Sequence, residues 1–87
     1  MLIDFLNYLV AIVGVFMSLA HFPQAYRIYH RKSSKDISLT TYSIFTLGSI
    51  IWLFYGIVLN QWPIIATFAV AVVGTLSVIT LAIKYRK

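Results

Sequence analysis

Three long apolar runs, separated by short polar connectors, take up nearly all of this 87-residue chain and set what it can become. A bilayer crossing needs about 20 predominantly apolar residues. Residues 3–21, 39–59 and 63–83 each meet that length, and the first run continues helically past Pro23. Hydrophobic residues make up 61% of the chain and charged residues 10%, against roughly 45 to 50% and about 25% in an ordinary soluble domain. The pattern predicts an all-α membrane protein, a single three-helix domain with helices over about residues 3–30, 39–60 and 63–84.

The first run differs from a secretory leader because no basic residue precedes it, Asp4 stands near its start, and it outlasts the usual apolar core of a leader. It is expected to be a retained span. The sequence has no cysteine, so neither a disulfide framework nor a thiolate metal site is available. No cofactor is expected. With two separated Asp, no Glu and two His nine residues apart, no catalytic set can be assembled and an enzyme is excluded.

A net charge of +5 invites a nucleic-acid reading, but the placement of the charges argues otherwise. Arg27, Arg31, Lys32 and Lys35 fall between the first two spans, and Lys84, Arg86 and Lys87 follow the third. The connector Asn60-Gln61-Trp62 carries none. All basic residues therefore lie on one side, which the positive-inside rule makes the cytoplasm. The expected topology is N-terminus outside and C-terminus cytoplasmic. Anionic lipid headgroups are secondary partners of the basic loop, and nucleic acid is not a partner because no recognition motif is present.

Each span carries a small or polar stripe opposite a lipid-suited one at the helical period. In the first the stripe is Asn7, Ala11, Gly14, Ser18 and Ala25, and in the third it is Thr67, Ala71, Gly74 and Val78, with Phe68 and Thr75 beside it. Small residues at this spacing let membrane helices approach closely. The second span is the most divided. Thr41, Tyr42, Phe45, Thr46, Gly48, Ser49, Trp52, Tyr55 and Gly56 share one half of the wheel, and such a face suits either a wet, ligand-filled cavity or a helix contact. Asp36 or Ser38 can cap this helix.

Pro23 removes a backbone donor and its ring clashes with the carbonyl of Leu19, so the first span should bend there. The bend is either a hinge or a static kink, and the amide of Gln24 beside it can satisfy loosened backbone groups. His21 is the one residue in the spans suited to carry a proton, although a histidine at a helix end is more often packed. No carboxylate lies within the membrane to work with it.

Phe22-Pro23-Gln24 closing the first span, Lys35-Asp36-Ile37-Ser38 ending the basic loop, and Gly48, Trp52 and Tyr55-Gly56 in the second span together resemble the bacterial SemiSWEET sugar transporters of the PQ-loop superfamily. The resemblance covers nearly the whole chain. It implies a bundle with the third helix between the first two, working as a parallel homodimer around a central path in a bacterial inner membrane. It further implies passive uniport of mono- or disaccharides by alternating access, with the proline region, Phe22-Pro23-Gln24, as hinge and gate.

In that family the positions of Trp52 and Ser18 face the sugar, and that of Tyr55 helps close the outer side. Ser49 and Phe68 join the candidate substrate-binding set. The chain departs from the family at two places: Phe68 stands where many members have Asn, and Leu59 and Gln61 stand where many have an Arg and an Asp able to latch the outer gate. Two other readings remain open: a PQ-loop carrier of another small solute such as an amino acid, and a small membrane subunit that transports nothing. The polar face of the second span weighs against the last.

Overall fold

In the computed structural model, which describes residues 1–86, four helical segments account for the three predicted spans. Lys87, one of the basic residues assigned to the cytoplasmic side, lies outside the described residues. The helices are α1 (Leu2–Ser18), α2 (His21–Arg31), α3 (Leu39–Leu59) and α4 (Trp62–Lys84). Three stretches are long and apolar enough to cross a membrane: Leu2–Arg31, Leu39–Leu59 and Trp62–Lys84.

The first span is broken at Leu19 and Ala20. Their backbone angles, φ −64°, ψ −17° and φ −63°, ψ −19°, lie toward the 3₁₀ region. The hydrogen bonds tighten accordingly: Ala20 N–H donates to the Met17 carbonyl at 3.1 Å and Phe22 N–H to the Leu19 carbonyl at 3.1 Å. Pro23 explains this. It has no N–H to offer the Leu19 carbonyl four residues back, so Phe22 supplies one from three residues away.

The connectors are defined by specific end structures. Ser38, rather than Asp36, caps α3, its Oγ accepting the Thr41 N–H at 3.1 Å. At the other end Asn60 adopts φ 56°, and the pair Gln61 N–H to Gly56 carbonyl (2.9 Å) and Asn60 N–H to Ile57 carbonyl (3.1 Å) closes a Schellman turn. Pro63 falls in the first turn of α4, where its missing N–H costs nothing. So tight a connection makes α3 and α4 antiparallel neighbours.

α4 lies in the middle, packing on α1, α2 and α3 in turn. The small-residue stripes form these contacts. Ala11, Ser18 and Ala25 are buried on the first span, and Ala71, Gly74, Thr75, Val78 and Ala82 on α4. A Cβ added to Gly74 would lie 2.8 Å from the Cβ of His21, and one added to Gly56 would lie 2.6 Å from Ile64 Cγ2. Side chains at these glycines would force the helices apart. The buried threonine hydroxyls are satisfied within their own helices, Thr75 Oγ1 donating to the Ala71 carbonyl at 2.8 Å and Thr46 Oγ1 to the Tyr42 carbonyl at 2.7 Å.

The end that carries the basic loop is tied together. Ala25 and Ile28 of α2 pack with Val78 and Ala82 of α4. Ser34 Oγ in the loop lies 2.9 Å from the Ala82 carbonyl and 3.0 Å from that of Tyr85, donating to carbonyls that the end of α4 leaves without partners. Lys32 Nζ sits 4.7 Å above the Tyr29 ring and 5.0 Å above the Tyr85 ring.

The Cα trace measures 50 × 21 × 14 Å. With α4 at its centre, packed against α1, α2 and α3, the bundle of one copy is filled rather than hollow. One copy cannot surround a path.

Candidate functional site

The half-wheel of α3 that carries hydroxyls, glycines and rings divides in two. Thr46, Ser49 and Gly56 are buried, and α4 is the helix that covers them. Phe45, Gly48, Trp52 and Tyr55, spaced three and four residues apart, form a neighbouring stripe that stays open: Phe45 and Trp52 are each 49% exposed and Tyr55 50%.

Two aromatic groups stand along this stripe. Trp52 stacks on Phe68 of α4, ring centroids 5.6 Å apart and planes 12° from parallel. Tyr55 meets the Trp52 ring edge-on at 5.5 Å. Toward the basic loop, His21 of α2 reaches α3, its ring 5.6 Å from Tyr42 and 6.3 Å from Phe45. Its Nδ1 lies 3.5 Å from the Tyr42 hydroxyl. Between the groups lies Gly48, where an added Cβ would meet nothing within 4 Å. Phe45 and Trp52 are seven residues apart, about 10 Å along a helix. The result is a notch open to the outside of the bundle, with a glycine between two ring groups and no carboxylate, lysine or arginine among them.

The other predicted site residues fall in different surroundings. Ser18 is buried and its Oγ donates to the Thr67 carbonyl of α4 at 3.2 Å. Ser49 is likewise buried, in the α3–α4 seam. Phe22 is half-buried and Pro23 exposed, both in the first turn of α2 beside the break. Gln24 lies in the wall of a cavity of about 330 Å³ between α2 and the start of α3, lined by both polar and apolar side chains. Thus Trp52, Phe68 and Tyr55 come together, the proline region stands below them, and the two serines face α4. His21, Tyr42 and Phe45 form a group that helical periodicity did not single out, because periodicity sorts the faces of one helix and this contact joins two. Among the described residues, no cluster of His, Cys, Asp or Glu could hold a metal ion.

Residues 5–65 match the PQ loop repeat family. The sugar transporter SemiSWEET of Leptospira biflexa is 35% identical over 79 residues, covering 90% of this chain and 88% of that protein. SemiSWEET of Bradyrhizobium diazoefficiens is 29% identical over 68 residues, covering 78% and 79%. A crystal structure of a bacterial homologue of SWEET transporters superposes with a TM-score of 0.86 at 30% identity, covering 94% of this chain and 99% of that one. Fold and sequence together define a multi-pass membrane protein of the PQ-loop class. Within that class the chain belongs to the SemiSWEET family, a family of transporters and not of enzymes.

Proposed function

We propose that two copies of this chain, side by side and parallel in a bacterial inner membrane, carry a sugar passively by alternating access. The observation that carries this reading is the open aromatic face around Gly48, half-exposed on a bundle whose centre α4 fills, so that a second copy supplies the missing wall. The relatives' names, both sugar transporter SemiSWEET, supply the substrate class. Trp52 offers a flat apolar face to sugar C–H groups and an indole N–H to a hydroxyl. Phe68 backs it, Tyr55 stands toward the outer side, and Ser18 and Ser49 become ligands only in a state where α4 releases their faces. The break before Pro23 lets α2 swing, with Phe22 and Gln24 moving at the inner mouth.

Uniport follows from the charges. The two acidic residues of the chain are Asp4, in the first turn of α1, and Asp36, in the cytoplasmic loop, so no carboxylate lies at membrane depth to ferry a proton. Purified protein in vesicles should therefore equilibrate a sugar without concentrating it, whether or not a pH gradient is imposed. Concentrative uptake that an ionophore collapses would contradict this.

The orientation has its own test. A cysteine at Gln61 should react with an impermeant thiol reagent added to intact cells, and one at Lys35 should not; the reverse pattern would invert the topology. Lys35 is the better inner site because it is exposed, whereas neighbouring Ser34 is buried against α4.

The stacking of Phe68 on Trp52 favours a second reading, transport of another small solute such as an amino acid, since it puts an apolar ring where a polar ligand to hydroxyls would be useful. Phe68→Asn is expected to change the order in which sugars and amino acids are carried by about tenfold or more in relative rate, because hydroxyl-bonding sites discriminate between related ligands more strongly than apolar ones. Competition uptake over a solute panel reads this directly. An unchanged profile would make Phe68 a packing residue.

A further inference from the structure

The cavity of about 330 Å³ at the cytoplasmic end has a chemistry that a neutral solute does not call for. One wall is a single face of α2, where Gln24, Arg27 and Arg31 recur at helical spacing. The facing wall is Asp36, Ser38 and Thr41, at the loop and the first turn of α3. Arg31 Nη1 is 3.4 Å from Asp36 Oδ2, in a pair whose two side chains are 62% and 70% exposed, a weak attachment. The only other carboxylate side chain, Asp4, lies 3.9 Å from the N-terminal amine at the far end of the protein, so none is left for Arg27. Ser38 Oγ takes the Thr41 N–H, and the other first-turn residues of α3, Leu39 and Thr40, line a separate cavity, so what α3 offers here is the hydroxyls of Ser38 and Thr41.

We infer that this cavity binds a phosphate group, held between the guanidinium groups of Arg27 and Arg31 on one side and the hydroxyls of Ser38 and Thr41 on the other. Two guanidinium forks facing hydroxyl donors call for a ligand with several acceptor oxygens and more than one negative charge, which a phosphate supplies and a sugar hydroxyl does not. The phosphate comes either from a soluble cytoplasmic anion or from the headgroup of an inner-leaflet lipid. Its two walls belong to α2 and to α3, which α4 holds separately. A ligand bridging them binds better when α2 lies against α3, and so stabilises the closed inner end in proportion to that difference. This second effect rests on the alternating-access reading above, whereas binding itself does not.

Inorganic phosphate titrated at constant ionic strength into the purified protein in a non-ionic detergent, followed by ³¹P line broadening, tests the site without any transport. Saturable broadening is expected, with Arg27→Gln and Arg31→Gln each weakening it by about tenfold or more. Asp36→Asn should tighten it by freeing Arg31, a result that a merely structural ion pair would not give, and Lys84→Gln, outside the cavity, should leave it unchanged. Broadening that does not saturate, or that Lys84→Gln weakens as much as Arg27→Gln does, overturns the site. Uptake into vesicles separates the two sources: slowing by enclosed phosphate in phosphatidylcholine identifies the soluble anion, and slowing by phosphatidylglycerol without phosphate identifies the headgroup. Saturable binding with no slowing in either arm overturns the closure and retains the site.

Discussion

Alanine at Trp52 is expected to abolish sugar uptake by the purified protein while leaving expression and dimerisation intact. The indole is half-exposed, so its loss removes little from the core of the bundle. Its loss from the notch is much larger. Trp52 is the ring on which Phe68 stacks and against which Tyr55 turns its edge, so one truncation dismantles the outer wall of the notch in each copy. An aromatic contact contributes about 0.5–1.5 kcal/mol beyond its area. Two copies losing both that and the buried area of an indole should lower uptake by about a hundredfold or more. Trp52→Phe keeps a ring and loses only the N–H, and should retain a measurable fraction. Wild-type uptake by the alanine variant would move Trp52 from the path to the lipid-facing surface.

Pro23→Ala should reduce transport by about tenfold while the protein still assembles, and the reason lies in the hydrogen bonds at the break. Alanine supplies an N–H four residues from the Leu19 carbonyl, which at present accepts from Phe22 at 3.1 Å. Regular α-helix can then run through Leu19 and Ala20. A net hydrogen bond is worth about 1 kcal/mol, and a proline within a helix costs up to about 3 kcal/mol relative to alanine. The upper figure does not apply in full, because Pro23 now sits in the first turn of α2, where its missing donor is cheap. Even a shift of about 1.4 kcal/mol toward the straight helix changes the population of the bent state tenfold. Uptake equal to wild type would reduce the break to a fixed kink.

Several features of the fold were readable from residue order alone, and the reasons are local. Hydropathy marks three spans because lipid leaves the backbone no alternative to helix. The small-residue stripe of the first span coincides with buried Ala11, Ser18 and Ala25 because helices in lipid approach only where side chains are small. Pro23 announces the break because the effect of a missing N–H reaches four residues back and no further.

Other features depended on which helix faces which. On the α3 wheel, Ser49 and Trp52 lie close together, yet one is buried and the other half-exposed, a division that only the position of α4 creates. Ser18 looks from its stripe like a hydroxyl available to a ligand, and its Oγ is engaged by the Thr67 carbonyl of another helix. The group of His21, Tyr42 and Phe45, the attachment of Ser34 to the end of α4 and the cavity beside Arg27 all join residues from separate elements. No spacing along the chain encodes them.

The central claim is that the path forms between two copies. Fluorescently labelled protein reconstituted at low density, with copies per vesicle counted by stepwise photobleaching and sugar equilibration scored vesicle by vesicle, measures this most directly. Vesicles with two copies should equilibrate and vesicles with one copy should not; equilibration through a single copy would contradict the account.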